Sequence, residues 1–147
     1  MLFGHVENRQ NRIDHMLRIR DLQDKTGGFN AFIPLVYQRD NNYLKVENYP
    51  GSAEILKTFA ISRLVLDNVA HIKAYWATST INLAMVAQEF GADDLDGTIE
   101  KESIQSAAGA KSASGMSLRN FTDLIQTSGF VPVERDSLYN ELKIYDN

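Results

Sequence analysis

The sequence predicts an α/β fold built on a parallel sheet. Short apolar runs without helical period alternate with longer segments whose apolar residues recur every three or four positions. Cap and turn residues stand at the joints between them. Along the 147 residues the order is strand, helix, strand, helix, strand, helix, acidic segment, helices. That is the pattern of βα units whose parallel sheet is covered by helices. Three or four such units make half of an eight-fold (β/α) barrel, a fold of about 250 residues.

Each element has its own justification. Met1-Leu2-Phe3-Gly4 is apolar from the first residue, where termini are usually polar and loosely held. It reads as a strand already under way, or as a chain cut from something longer. Arg9 to Lys25 carries Ile13, Met16, Leu17 and Leu22 at helical spacing and stops at Gly27-Gly28. Phe29 to Tyr37 is a buried strand by its apolar run, with Pro34 as an obstacle to ladder pairing. A polar loop runs from Arg39 to Gly51. Ser52 is positioned to cap a helix over Ala53 to Asp67, whose apolar surface is Ile55, Leu56, Phe59, Ala60, Leu64 and Leu66. Ile72 to Trp76 is a further strand. Ser79 caps a helix over Thr80 to Phe90, closed by Gly91 at the position where positive φ is common. A weak helix covers Lys101 to Ala108, and Gly109 to Gly115 is a small polar loop. Ser117 caps a last helix, Leu118 to Thr127, and Val131 to Asn147 is a tail.

Composition narrows the function classes. With no cysteine there is no disulfide framework, thiolate zinc site, cysteine nucleophile or self-contained iron–sulfur cluster. Three histidines leave little for a histidine metal site. A net charge of −4 argues against a general nucleic-acid binder, which needs clustered Lys and Arg. No run approaches the roughly 18 apolar residues of a membrane span. The absence of disulfides fits a cytoplasmic protein.

In both barrels and open α/β sheets, sites form where strands end and loops begin. The polar residues at those points are His5 and Glu7, Gln38 to Asn42, Trp76 to Thr78, and Asp93 to Thr98. His5 and Glu7 share one side of an extended chain. They suit either substrate binding with proton exchange or a solvated strand end. Asp93, Asp94 and Asp96 suit either cation or hydroxyl binding or turn chemistry around Gly97. The spacing is not that of an EF-hand. Arg63 and Asp67 are four apart and so are placed to pair. His71 and Trp76 read as structural. No nucleophile–base triad is present, and no catalytic acid or base is assigned.

Several stretches together resemble the radical S-adenosylmethionine enzymes of menaquinone and deazaflavin biosynthesis. They are Met1-Leu2-Phe3-Gly4-His5-Val6-Glu7, Ala31-Phe32-Ile33-Pro34-Leu35, Arg63-Leu64-Val65-Leu66-Asp67-Asn68, His71-Ile72-Lys73-Ala74-Tyr75-Trp76, Gly91-Ala92-Asp93-Asp94-Leu95-Asp96-Gly97-Thr98 and Ala107-Ala108-Gly109-Ala110-Lys111. The Asp-Leu-Asp-Gly-Thr variant is nearest the synthase branch of the futalosine route to menaquinone. It is less like the cyclase and deazaflavin-synthase sister enzymes.

The resemblance implies a TIM-type (β/α) barrel whose first half holds a 4Fe–4S cluster on a Cys-x₃-Cys-x₂-Cys loop. This chain then corresponds to the C-terminal half, about strands five to eight. Residues 1–98 are its βα units, and 99–147 are a helical extension and tail packed on them. Leu2, Gly4 and Glu7 match the last three marked positions of the family's Gly-x-Ile-x-Gly-x-x-Glu strand, Leu2 conservatively. The implied activity of the parent enzyme is reductive cleavage of S-adenosylmethionine. The 5′-deoxyadenosyl radical then adds to the enol ether of a carboxyvinyl benzoate, a small-molecule substrate. Gly4, His5, Glu7, Asp93, Asp94, Asp96 and Thr98 become the expected S-adenosylmethionine and substrate contacts. The chain alone is expected to bind no cofactor or metal and to be inactive. A non-enzymatic half-barrel binding or assembly protein is the alternative outside enzymology. A half-barrel also has open sheet edges, which predict a homo-oligomer.

Overall fold

The sheet is assembled from very short strands that pair in sequence order. The computed structural model describes residues 1–99, 103–109 and 115–146. β1 (Leu2–Phe3) pairs in parallel with β3 (Leu35–Val36). β2 (Ala31–Phe32) pairs in parallel with β4 (His71–Ile72), and a parallel bridge joins Lys73 to Asp94. The chain segment that contains β2 and β3 thus lies between β1 and β4, and the 93–96 segment is the fourth member. It is a mixed α/β architecture, and the described strands do not close into a barrel.

Pro34 explains why the second segment is divided. Proline has no N–H to donate, and here it is buried between the two strands. Before it, Phe32 O accepts Lys73 N at 2.9 Å; after it, Leu35 N donates to Met1 O at 2.8 Å. The run changes neighbour at the one residue unable to donate to a ladder.

The helices cover this sheet. α1 (Arg9–Thr26) starts in a reciprocal capping box between Asn8 and Asn11 and ends at Gly27 in the left-handed conformation. Its buried residue is Met16. α2 (Ser52–Val65) is capped by Gly51, so the expected capping residue Ser52 is its first helical position. Ile55 and Phe59 of α2 are buried, but Leu64 is 77% exposed and leaves the expected apolar surface. The core brings these together with Phe3, Phe32, Val36, Leu66, Ile72, Trp76 and Phe121.

Beyond β4 the chain departs from the expected strand over Ile72 to Trp76. Trp76 opens a four-residue helix, α3 (Trp76–Ser79), and Thr80 then caps α4 (Ile81–Glu89) in place of Ser79. The Thr80 hydroxyl accepts Leu83 N at 3.4 Å. α4 ends as expected at Gly91, whose φ is +93°. A Cβ at residue 91 would stand 2.7 Å from Arg63 Cβ. Gly91→Ala should therefore cost about 2 kcal/mol, from left-handed strain plus the clash, as read by urea titration.

The last third holds more than helices. α5 is Ile104–Ala107; residues 101–102 of the expected weak helix and 110–114 of the expected loop lie outside the described residues. α6 (Leu118–Thr127) has its Ser117 side chain on Asn120 N, as the sequence indicates. The stretch read as a tail forms an antiparallel hairpin, β5 (Val133–Arg135) with β6 (Glu141–Ile144). Its turn is built by the Asp136 side chain, which accepts Leu138 N at 2.8 Å and Asn140 N at 2.9 Å.

Candidate functional site

Two groups of sequence-selected residues follow strand segments, and each meets a different fate. The first is the turn after β1. Glu7 folds back so that its carboxylate accepts Gly4 N at 2.6 Å and His5 N at 2.9 Å. Arg12 Nε, from the first turns of α1, donates to the same carboxylate at 2.8 Å. Burial alone would raise the Glu7 pKa. The two backbone N–H groups and the Arg12 guanidinium outweigh it and hold the carboxyl below the usual glutamate range. Arg12 Nη1 also reaches Glu54 at 3.2 Å, and Arg9 pairs with the same residue. His5 keeps its Nδ1 3.4 Å from Glu7 and sets its ring edge-on to Tyr37, 5.9 Å between centroids. Gly4, His5 and Glu7 are thus one unit, cross-linked by Arg12, which the sequence did not single out.

The second group is the 93–98 segment at the far side of the sheet. Asp93 accepts Arg63 Nη2, His71 Nδ1 and Ile72 N, each at 2.7 Å. Arg63 was expected to pair with Asp67; instead its Nε also donates to Gly91 O, and Asp67 pairs with Arg20 at 3.0 Å. The i,i+4 spacing on α2 is overridden because the strand-side carboxylate offers Arg63 a fork of partners. Asp94 is the most buried of the acids, its side chain 8% exposed. It accepts Arg135 Nη2 at 2.6 Å, Tyr139 Oη at 2.5 Å and Asp96 N at 3.0 Å, with Lys73 Nζ at 3.6 Å. Burial pushes its pKa up, but the Tyr139 hydroxyl, the Asp96 N–H, Lys73 and Arg135 together leave it below the ordinary aspartate value. The Tyr139 phenol is in turn driven well up by burial and by the Asp94 carboxylate. Asp96 takes Lys73 Nζ at 2.5 Å. Thr98 lines the same cavity, and its carbonyl accepts Met116 N at 3.2 Å.

Around these carboxylates the aromatic groups are ordered. The His71 ring stacks on Tyr139 with centroids 3.9 Å apart and planes within 9°. The Arg135 guanidinium lies 4.0 Å from the same Tyr139 ring. Trp76 Nε1 donates to Gly97 O at 2.8 Å. A cavity of about 550 Å³ lies between this segment, α6 and the β5–β6 hairpin, with Leu95, Thr98, Phe121, Ile125, Arg135 and Tyr139 among its walls. Arg63, His71, Lys73 and Arg135 already occupy the three aspartates. Among the described residues no group of three or more acidic or histidine side chains is arranged to hold a metal ion.

The structure brings two other expected rim segments together. Gln38 Nε2 donates to Val36 O and Thr78 O, both at 3.0 Å. Both segments border a second cavity of about 350 Å³ with Tyr49. The turn after β1 and the 93–98 segment, by contrast, belong to the first and fourth members of the sheet. Three interstrand spacings separate them, about 14 Å. Sequence reasoning missed Arg135 and Tyr139. The signal for them was local: Asp136 and Asn140 flank a turn, and a turn there carries both residues back toward the sheet.

A parallel βα sheet with polar rims beyond its strands defines a class of α/β protein, and comparison with known proteins makes that specific. The family model described as CofH/MqnC C-terminal region matches residues 26–147; the chain belongs to that family. Over 150 residues it is 45% identical to the aminodeoxyfutalosine synthase of Thermus thermophilus, covering 99% of this chain and 40% of that protein. It is 41% identical over 157 residues to the aminodeoxyfutalosine synthase of Streptomyces coelicolor, covering 99% and 41%. It is 42% identical over 147 residues to the cyclic dehypoxanthine futalosine synthase of the same organism, covering 100% and 36%. The chain thus spans about two-fifths of the length of these curated relatives. No described helix is long and apolar enough to cross a membrane.

Proposed function

We propose that the chain is the C-terminal part of an aminodeoxyfutalosine synthase, a cytoplasmic radical S-adenosylmethionine enzyme of the futalosine route to menaquinone. The observation that carries this reading is the 45% identity to the Thermus enzyme across 99% of the chain. The parallel pairing in sequence order supports residues 1–98 as half of a (β/α) barrel, with 99–147 as an extension packed on it. The 42% identity to cyclic dehypoxanthine futalosine synthase makes the cyclase the second reading.

The residues present do not fit the iron–sulfur cluster. With no cysteine in the sequence there is no thiolate to ligate it, so the cluster belongs to another part of the enzyme. When bound, the cluster and S-adenosylmethionine supply the radical chemistry that joins a 5′-deoxyadenosyl group to the enol ether of 3-(1-carboxyvinyloxy)benzoate. In this reading the chain binds and orients. Glu7, fixed by Gly4, His5 and Arg12, holds the strand-end turn in one shape and presents the His5 ring. Asp94 and Asp96, paired with Lys73 and Arg135, set the polar rim of the fourth segment beside Thr98. Asp93 positions that segment against His71 and Arg63.

The test is a hybrid. This chain is fused to the portion of the Thermus enzyme with which it does not align, and adenosylation of the enol ether is assayed. Product from the hybrid, and none from either part alone, is the expected outcome. Turnover of dehypoxanthine futalosine in its place would favour the cyclase. Two further results are expected of the 147-residue chain itself. Anaerobic treatment with iron and sulfide leaves it colourless; a brown product with cluster absorbance contradicts the assignment of the cluster to another part. The open edge of β1, where Leu2 is 49% exposed, should drive self-association, seen as a light-scattering mass above 16.5 kDa.

A further inference from the structure

The β5–β6 hairpin forms one wall of the 93–98 cavity, and few groups fasten it. Among the described residues its hydrogen bonds to the sheet both end on Asp94, Arg135 Nη2 at 2.6 Å and Tyr139 Oη at 2.5 Å, with Arg135 also 3.9 Å from Asp96. The Tyr139 ring adds its stack on His71. At the base, Gln126 Nε2 of α6 donates to Tyr145 O at 2.8 Å. The second strand contributes little apolar anchorage, since Leu142 and Ile144 are 62% and 55% exposed. A two-stranded ribbon is marginal without such anchorage. The hairpin is nevertheless coherent. Tyr145 N closes onto Pro132 O at 2.9 Å, Tyr145 Oη donates to Glu134 at 2.7 Å, and the Asp136 turn locks its tip. Phe130, just before it, packs on the core.

We propose that the hairpin is a strap that swings open as a unit from its Phe130 anchor while the sheet stays folded, with Asp94 as the fastening that closes it over the 93–98 cavity. The two partners of one carboxylate come from opposite ends of the turn, so loss of that carboxylate frees both at once. The groups that hold the ribbon together all lie within it, but a two-stranded ribbon released from the sheet is marginal, so its amides exchange from the open state. Local opening of this kind requires few buried apolar contacts and attachments weaker than the global fold. The strap is a property of this chain and holds whatever molecule fills the cavity.

Trp76 is a built-in reporter, because it is the only tryptophan, is 2% exposed and donates to Gly97 O in the cavity wall. The experiment is amide hydrogen exchange over increasing urea, with acrylamide quenching of Trp76, on the 147-residue chain. In the wild type, hairpin amides such as that of Tyr145 should exchange through an opening insensitive to low urea. The Lys73 and Tyr37 amides should exchange only with global unfolding. Asp94→Asn should speed hairpin exchange about tenfold or more, the loss of charge-assisted hydrogen bonds, and raise quenching with an unchanged far-ultraviolet spectrum. Tyr139→Phe should act in the same direction but less, and decides the matter if Asp94→Asn does not fold. Tyr145→Phe, within the ribbon, should leave quenching unchanged. The proposal is overturned if hairpin and sheet amides share one urea dependence. It is equally overturned if the Asp94 and Tyr139 variants leave hairpin exchange at the wild-type rate, or if Tyr145→Phe raises quenching as much as they do.

Discussion

Asp94→Asn should lower the unfolding free energy by about 3 kcal/mol, the cost of breaking a buried ion pair and stranding its partner. An asparagine oxygen can still accept from Tyr139 or from Asp96 N. It cannot neutralise Arg135 or Lys73, and its amide group brings a donor where four donors already point. The same group gives stability a pH signature. In the folded chain the Asp94 pKa lies below the ordinary value of 3.8, so unfolding raises it and the unfolded state binds the extra proton. Its contribution is therefore complete above about pH 5 and is lost as the pH falls through 3.8 toward the depressed folded value. Urea midpoints measured from pH 6 down to pH 2.5 should show a wild-type decline that is shallower in Asp94→Asn. Parallel curves would remove Asp94 from the acid response.

Arg12→Met is the second large effect, about 2–3 kcal/mol. The Arg12 side chain is 12% exposed and bridges Glu7 and Glu54, while its guanidinium lies 4.9 Å from the ring of the fully buried Phe3. Methionine fills much of the volume but leaves Glu7 held only by Gly4 N and His5 N. Glu54 keeps the exposed Arg9, a pair of little value alone. Arg12→Lys should recover less than half of the loss, since an ammonium lacks the fork that spans two carboxylates. Thermal unfolding of the three proteins checks the order. If Met and Lys variants melt together with the wild type, the bridge carries no stability.

What the sequence disclosed follows the range of the forces involved. α1 and α6 were legible because their signals are local: apolar positions at helical spacing and the Gly27-Gly28 stop in α1, and the Ser117 cap in α6. The strands were legible as apolar runs, but not their two-residue pairings, because Pro34 forces an exchange of partner that only the assembled sheet defines. Arg63 illustrates the limit. Its i,i+4 neighbour Asp67 is the natural local partner, yet a carboxylate 30 residues onward takes it. The candidate acids at 93–98 were visible as a cluster, whereas their cations come from α2 (Arg63), from Lys73 just after β4 and from the hairpin (Arg135). Arg135 and Tyr139 were hidden because the hairpin's apolar alternation is short, and its exposed side chains make it read as a tail.

The exchange of partners at Pro34 also acts as a register key. A strand free to slide past its neighbours by two residues keeps its inward and outward faces and loses little. Here the two-residue slide that carries the proline into the place of Phe32 sets it in the ladder with β4, where it has no N–H to donate. One residue in the middle of the sheet therefore resists that slide, much as a dowel keeps one board from slipping along the next. The spacing of the loops beyond the strands is inherited from that single pin.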